Sequence, residues 1–588
     1  MEADLSQNIM QERSLFPKKM ILWTIFAIAL VAVMHWQSFW ITDTLNWPPA
    51  VAWITTVVLG LLTILLWGFW LLFFGKQRVA GLLFILVPAV FSLLFYPNFK
   101  GSADFDGFKA RFWSRSADFV ETKGEGDGEG NDAVDLKTTG ALDFPQFLGP
   151  NRDGTLQTVE LADSWKRVPA ELWKIDIGDG WSGFAAVNGF AVTQEQRGDQ
   201  ECVTCYEIKT GELKWINSQT RRHEDTMAMG KAGPRATPTI HEGRVYVTSA
   251  TGVLDCLDGS NGKLIWSKNV PEMVGITQLV KKSGLGLDYT VEDSRLAWGR
   301  SASPLIVGDL VITPAGGPAS IKPEEPEPMT TMIAFDKNSG EEKWRGGDKM
   351  IAYGSPRIVS IAGTNQIVLA TETDVVAHDV ETGEELWSHP WYGISDGAAN
   401  CSQITVVDDG LLIISKGYTQ GSELISVSQD AEGKWASETI QKDRRLIKTK
   451  LTSPVIYQGH AYSLSDGFLE CVEAKTFERK WKQRGRFGHG QILLVGDKLL
   501  VHSESGTLFL VSPDPSEYQE LGKVKTIKGI CWNTICLYGD LLLLRSEVEA
   551  ACYQLPLANP MTVADSSESD STDSVSLDSD QSEIGTTQ

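Results

Sequence analysis

Basic residues are in short supply in this 588-residue chain: 53 Lys and Arg stand against 75 Asp and Glu, for a formal net charge of −22. Proteins that neutralise a phosphate backbone need the opposite balance, so nucleic acid is excluded as a partner. Much of the deficit lies in two stretches. Residues 116–142, which include KGEGDGEGNDAVD, are Gly-rich and acidic with no aromatic after Phe119, and the C-terminal SSESDSTDSVSLDSDQSE has no basic residue. Neither buries enough apolar surface to offset the entropy of ordering, so both read as flexible, one as a tether and one as a tail. Cysteine is scarce as well: eight residues, at 202, 205, 256, 401, 471, 531, 536 and 552, with no two adjacent. Cys202 and Cys205 form a C-x-x-C half-site. No second pair has metal-site spacing, and Tyr206 stands where covalent haem attachment needs a His. Cys531 and Cys536 span one strand and can pair only if the chain bends there. Also missing, between Trp173 and Leu555, is any strong 3.6-residue apolar period, which excludes a helical solenoid.

Long apolar runs are present, but only at the start. Residues 20–41, 50–74 and 79–96 match the ~20 residues needed to cross a bilayer. The third is the shortest and carries Pro88, so a tilted or re-entrant segment is its alternative. The first run exceeds a signal-peptide core and offers no small-residue cleavage site, so the anchor is expected to stay attached. Arg13, Lys18 and Lys19 precede the first run and Lys76 and Arg78 follow the second, while the loop between carries only Asp43, which places the N-terminus in the cytoplasm. Three crossings put the remainder on the opposite, periplasmic side of the cytoplasmic membrane. Lys100, Lys109, Arg111 and Arg115 pull the other way, and if the third run does not cross, the remainder is cytoplasmic.

What fills the rest is a repeat. In residues 332–344, MIAFDKNSGEEKW, Ile333 and Phe335 alternate with Ala334 and Asp336 at strand period, Asn338-Ser339-Gly340 supplies a turn, and Trp344 lies on a returning strand. Copies occur as CYEIKTGELKW (205–215), CLDGSNGKLIW (256–266) and AHDVETGEELW (377–387). Weaker copies are VSQDAEGKW (427–435), CVEAKTFERKW (471–481, Phe477 in the Gly slot) and VSPDPSEYQEL (511–521). Gly recurs because the short turn needs positive φ. The closing Trp or its stand-in falls at 173, 215, 266, 344, 387, 435, 481 and 521, a spacing near the ~40–45 residues of a four-stranded propeller blade. Cys205, Cys256, Cys471 and Cys552 occupy the slot filled elsewhere by Ala334 and Ala377, so they read as small buried hydrophobes in separate blades, poorly placed for disulfides. The last copy, 537–555, has three strands and no fourth, while the Trp173 strand, 171–177, has no blade ahead of it. Pairing them closes the ring and removes its exposed edges. The expected fold is therefore all-β, an eight-bladed propeller of four-stranded antiparallel blades behind an α-helical transmembrane region. Its expected organisation is a cytoplasmic tail over 1–19, a membrane region over 20–97, a linker over 98–143, the propeller over 144–558 and an acidic tail over 559–588.

The A-x-D-x-x-T-G-x-x-x-W pattern resembles the pyrroloquinoline-quinone (PQQ)-type propeller repeat shared by quinoprotein alcohol dehydrogenases and by the outer-membrane assembly lipoprotein BamB. The lead-in FPQFLGPNRDGT (144–155) is similar to that of large bacterial propeller proteins of this group, which the resemblance places outside the cytoplasmic membrane. The dehydrogenase members imply PQQ with calcium, an adjacent Cys-Cys pair over the quinone, a Glu, Asn and Asp set on the metal with an Asp as base, and often a haem domain. This chain has no neighbouring cysteines, no motif on which such a set falls and no C-x-x-C-H, so PQQ with calcium is disfavoured and no catalytic or metal residue is assigned. BamB-like members imply protein or peptide partners without a cofactor, held by a lipid on an N-terminal Cys; here the first Cys is 202, and membrane spans replace that anchor.

In such propellers the residues just ahead of each Ser-Pro or its equivalent, where the innermost strand begins, line the central channel. That alignment gives Trp181, Arg235, Arg300, Tyr353, Asn400, Lys450, His489 and Trp532, with a register error of one residue allowed. Cations, indoles and a phenol around one funnel suit an anionic aromatic or a carboxylate-bearing peptide, while the plainer assignment is that they pin contacts between blades. His489 in FGHGQ reads as a structural hydrogen-bonder and not as a base. The insertion at 271–298 is the candidate for a loop covering one face. Three functions follow: a membrane-anchored interaction scaffold with envelope proteins or peptides as partners, a divergent quinone-dependent dehydrogenase, and a sensor of a small ligand or glycan.

Overall fold

The computed structural model describes residues 2–36, 50–74, 78–95, 102–104, 107–109 and 134–559, apart from 225–231, 277, 283–287, 293–295, 317–328 and 395–397. Most of the expected tether, 110–133, and the acidic tail from 560 onward lie outside the described residues.

Three helices come first, Glu2–Trp36, Ala50–Phe73 and Arg78–Phe95. Two windows, Lys18–Trp36 and Ile54–Phe73, are long and apolar enough to cross a membrane; in the third helix the apolar stretch over described residues is the shorter Arg78–Pro88. The first two helices are joined by indole–hydroxyl bonds. Trp23 Nε1 donates to Thr63 Oγ1 at 3.2 Å and Trp67 Nε1 to Thr24 Oγ1 at 2.9 Å.

Eight antiparallel sheets follow, at residues 185–220, 239–269, 305–346, 357–390, 405–443, 455–486 and 491–525, and finally 536–554 with the strand Ala170–Asp176. They are termed blades 1 to 8 in that order. The ring closes as its sequence requires: Glu549–Gln554 pairs with Ala170–Asp176, Cys552 opposite Trp173. Blade 7 gains a fifth, parallel strand, Thr155–Leu156. The chain also meets the propeller earlier than the composition of 116–142 implies. Val134 and Leu136 are buried against blades 1 and 2, and Asn188 Nδ2 donates to the Asp135 carbonyl.

Two features of the repeat are explained by contacts between blades. Trp387 Nε1 donates within its own sheet, to Gln366 Oε1 at 2.7 Å, but at the four junctions before it the closing Trp reaches past its own sheet: Trp173 Nε1 donates to Ile208 O at 2.7 Å, Trp215 to Gly259 O at 2.9 Å, Trp266 to Lys337 O at 3.2 Å and Trp344 to Val380 O at 3.1 Å. Its ring then lies against the turn glycine of the following blade. A Cβ on Gly211 would stand 2.7 Å from Trp173, and one on Gly383 2.3 Å from Trp344, so this glycine is required both by its positive φ and by the indole above it. The turn Asp completes the unit, Asp336 Oδ1 accepting the N–H groups of Asn338 and Ser339. At the blade 5–6 junction Phe477 holds the glycine place at φ 55° and is buried with Leu446 and Ile447.

The Ser/Thr-Pro signature has a similar role at the centre. The N–H of Gly183 donates to Thr237 Oγ1, that of Thr237 to Ser303 Oγ, that of Ser303 to Ser355 Oγ, and that of Gln403 to Ser453 Oγ. This belt of hydroxyls couples neighbouring inner strands around the axis and leaves the residue two positions earlier facing the channel. All eight cysteines are free; seven are buried, including the four in the Ala slot, and Cys401 is half-buried.

Candidate functional site

The channel is crossed at one end. Residues 134–165 run along the face that carries the turns between first and second strands: Gly243 N–H donates to Leu136 O and Gly496 N–H to Leu156 O. Within this stretch, residues 144–156 cross from blade 1, where Phe144 bridges Ala186, to blade 7, where Thr155 pairs with Leu494. Arg152 pins the crossing. Its guanidinium, buried and at φ 53°, donates to Gln146 Oε1 at 3.1 Å, Ser303 O at 3.0 Å and Pro304 O at 2.9 Å, and burial pushes its pKa down to about 9.

Above this floor, on the face where each blade leads into the next, lies a cavity of about 150 Å³. Phe147 is its base. Two aromatic pairs form parts of the wall: Trp181 with Trp532, ring centroids 4.6 Å apart, and Trp298 with Tyr353, 5.2 Å apart. Arg235, from blade 2, lies between the pairs in ring order. Cys401, Leu451 and Gln491 complete the circuit, with the hydroxyls of Ser301, Ser355 and Thr534. Trp532 is oriented by Glu504, whose Oε1 accepts its indole N–H at 2.6 Å, and Gln491 Nε2 is held by Leu451 O and Trp532 O.

Of the eight residues expected to line the funnel, Trp181, Arg235, Tyr353 and Trp532 do so. The other four do not line this cavity: Arg300, Asn400 and Lys450 each stand one residue before a residue that does, the register difference allowed for, and His489 stands two before Gln491. Arg300 is 3% exposed and donates to Ala315 O at 2.7 Å. Asn400 Nδ2 spans to Thr371 O at 2.7 Å and Trp391 O at 3.1 Å. The ammonium of Lys450 lies over the Tyr418 ring and 3.5 Å from His489 Nε2. These four pin junctions between blades. The lining position is two residues before the belt residue, which is Ser or Thr in most blades, Gly183 in blade 1 and Gln403 in blade 5. In blades 3, 5 and 6 that position is Ser301, Cys401 and Leu451, one residue later than the aligned Arg300, Asn400 and Lys450; in blade 7 the lining residue is Gln491. Trp298 arrives from the expected insertion, which forms the helix Val270–Met273 and the hairpin Gln278–Lys282 with Asp288–Glu292 before Leu296 and Trp298 tuck against Tyr353 and Ala399.

The donor set indicates what the cavity can hold. Its described oxygen donors are hydroxyls and one amide, without a carboxylate, and among the described residues no three His, Cys, Asp or Glu side chains converge. A calcium-bound quinone, which needs carboxylate oxygens on the metal, does not fit this lining. Burial holds the Cys401 thiol up at about 12, so it is a soft apolar wall element and not a nucleophile.

Behind Arg235, Glu201 is 5% exposed; it accepts the Ala250 N–H, and burial pushes its carboxyl up to about 7, with Asp255 adding to the shift. Because the folded pKa exceeds the ordinary 4.5, ionisation costs stability progressively from about pH 4.5 to pH 7. Glu201→Gln should match the parent at pH 4.5 and exceed it by about 3 kcal/mol at pH 8, as read by denaturant melts across that range; parallel pH profiles would refute this.

Residues 198–483 match the family described as outer membrane protein assembly factor BamB. The BamB of Shewanella oneidensis is 20% identical over 382 residues, 58% of this chain and 89% of that protein. Among solved structures, BamB from Moraxella catarrhalis aligns with 66% of this chain and all of its own at 16% identity and a TM-score of 0.42. Quinohemoprotein alcohol dehydrogenase from Comamonas testosteroni aligns with 71% of this chain and 81% of its own at 11% identity and a TM-score of 0.47.

Proposed function

We propose, from a chain built as a BamB-like propeller of PQQ-type repeats, that this protein is a membrane-anchored interaction scaffold of cell-envelope assembly. Its working surface is the open mouth of the channel. One observation carries the reading: the ring is crossed by its own lead-in at one end and opens at the other onto an aromatic cup whose described lining has no acid–base pair. Such a cup is suited to binding. The similarity to assembly factors supports envelope polypeptides as the partners.

The anchor is read as three crossings, with the propeller on the periplasmic side of the cytoplasmic membrane. At 1.5 Å per residue the 18-residue helix Arg78–Phe95 is about 27 Å long, a little under the ~30 Å hydrocarbon core and at the short end of the range that crosses, so it would span without tilt. A topology reporter fused after Ser116 should give a periplasmic signal; a cytoplasmic one overturns the placement.

The binding role is tested with a photo-crosslinking residue at Trp298, on the mouth, and at Gln458, exposed on the crossed face. With a purified, unfolded outer-membrane β-barrel polypeptide, adducts should form at 298 and not at 458. Equal labelling, or a quinone chromophore with dye-linked alcohol oxidation after addition of PQQ and calcium, would replace this reading.

A further inference from the structure

The chain is strongly acidic, yet its cup is built among cations. Arg235 lines it between the two aromatic pairs. Behind the opposite wall, next to Cys401 and Leu451, Lys416, Lys448 and Lys450 are 2%, 0% and 5% exposed. Asp466 serves two of them, at 2.9 Å from Lys448 Nζ and 3.9 Å from Lys450 Nζ. Among the described residues Lys416 meets no carboxylate. Its ammonium donates to Tyr392 O and lies 5.1 Å from the Trp391 ring. Carboxylates stand near the cup as well, Glu201 behind Arg235 and Glu504 on the indole N–H of Trp532, so the cation that bears on an entering anion from behind the wall is Lys416, whose charge acts through a medium of low dielectric. The rim, in contrast, is apolar. Val280 on the insertion hairpin is 70% exposed, Tyr392 68% and Ile394 42%, all on the face of the mouth. A free small molecule held inside the cup would not reach them, whereas an extended chain leaving it would lie across them.

We propose that the cup recognises an acidic aromatic segment of a partner polypeptide. An aromatic side chain enters between the Trp181–Trp532 and Trp298–Tyr353 pairs, an adjacent carboxylate meets Arg235, and the flanking chain rests on the rim. This rests on the reading of the mouth as the binding surface and adds the chemistry that is recognised there. Stacking on the indoles supplies affinity, and the guanidinium supplies the choice of acidic over neutral neighbours.

The test is calorimetric titration of the purified full chain in detergent with three capped peptides, GSGEFEGSG, GSGQFQGSG and GSGESEGSG. The first should bind about 10-fold more tightly than the second, with an advantage that shrinks as salt rises, and the third should not bind. Arg235→Gln should weaken the acidic peptide about 10-fold and leave the neutral one unchanged, and Trp298→Ala should weaken both. The inference is overturned if the neutral peptide binds as well as the acidic one, if Arg235→Gln leaves their ratio intact, or if no peptide binds. In each case adducts at position 298 decide whether the mouth remains the binding surface: adducts without acidic preference remove only the recognition chemistry, and their loss removes both.

Discussion

Replacing Ala170–Asp176 by seven Gly and Ser residues should abolish cooperative folding of the propeller. This strand is the fourth of blade 8, and without it the backbone groups of Glu549–Gln554 face water as an unpaired edge. The seam between blades 8 and 1 also loses its clasp. Trp173 Nε1 no longer reaches Ile208 O, the ring no longer covers Gly211, and Glu171 no longer accepts the Tyr553 hydroxyl at 2.7 Å. Arg545, fully buried at the same seam, donates to Thr193 Oγ1 and Gln194 O, both at 2.7 Å, and to Gly178 O at 3.1 Å; opening the ring exposes these partners to exchange. The combined loss is on the order of the whole stability of a domain, roughly 5–15 kcal/mol. Circular dichroism melts should show a broad, non-cooperative transition and sedimentation should show aggregates, while a synthetic peptide spanning 168–178, added in excess, should restore a sharp melt. An unchanged melting curve would mean that the ring does not depend on this closure.

That closure was legible in the sequence because it follows from counting strands against a repeat whose Gly and Trp are fixed by local geometry and by one neighbour. The channel lining was legible in half. Trp181, Arg235, Tyr353 and Trp532 were found because their blades carry Thr-Pro or Ser-Pro, or a clear equivalent, in the same register. Arg300 and Lys450 stand one residue before the lining place in blades that also carry Ser-Pro, and their side chains turn into the wall, Arg300 to the Ala315 carbonyl and Lys450 to the Tyr418 ring. Cys401 lines the cup from outside the Ala slot that buries four of the other cysteines. Trp298 comes from an insertion without a counterpart in other blades. The crossing of residues 144–156 left least trace, since its Gly, Pro and Asn content reads as loop, its local turns bond within the loop, and the contacts that fix its course, to Ala186, Ser303, Pro304 and Leu494, are to residues distant in sequence.

Arg152→Ala is expected to loosen that crossing while leaving the ring closed. The guanidinium serves two buried backbone carbonyls, of Ser303 and Pro304, and holds Gln146 in the same turn. Alanine leaves both carbonyls without this donor in an environment that water does not reach, each at about 1–3 kcal/mol. Against this, among the described residues the buried cation meets no carboxylate, and Arg357 nearby opposes it, so its removal returns part of the desolvation cost. The expected net loss is about 2–4 kcal/mol, enough to lower the melting temperature without preventing folding. Hydrogen exchange locates the effect. The amides of Gly154, Leu494 and Gly496, which bond Leu148 O, Gly154 O and Leu156 O, should exchange faster, whereas Cys552 and Tyr553 at the ring closure should keep their protection. Phe147 is carried on the same turn, so the variant should also lose the floor of the cup and with it affinity for the acidic aromatic peptide. Uniform acceleration across all blades would show instead that Arg152 acts on global stability and that the crossing is not a separate structural unit.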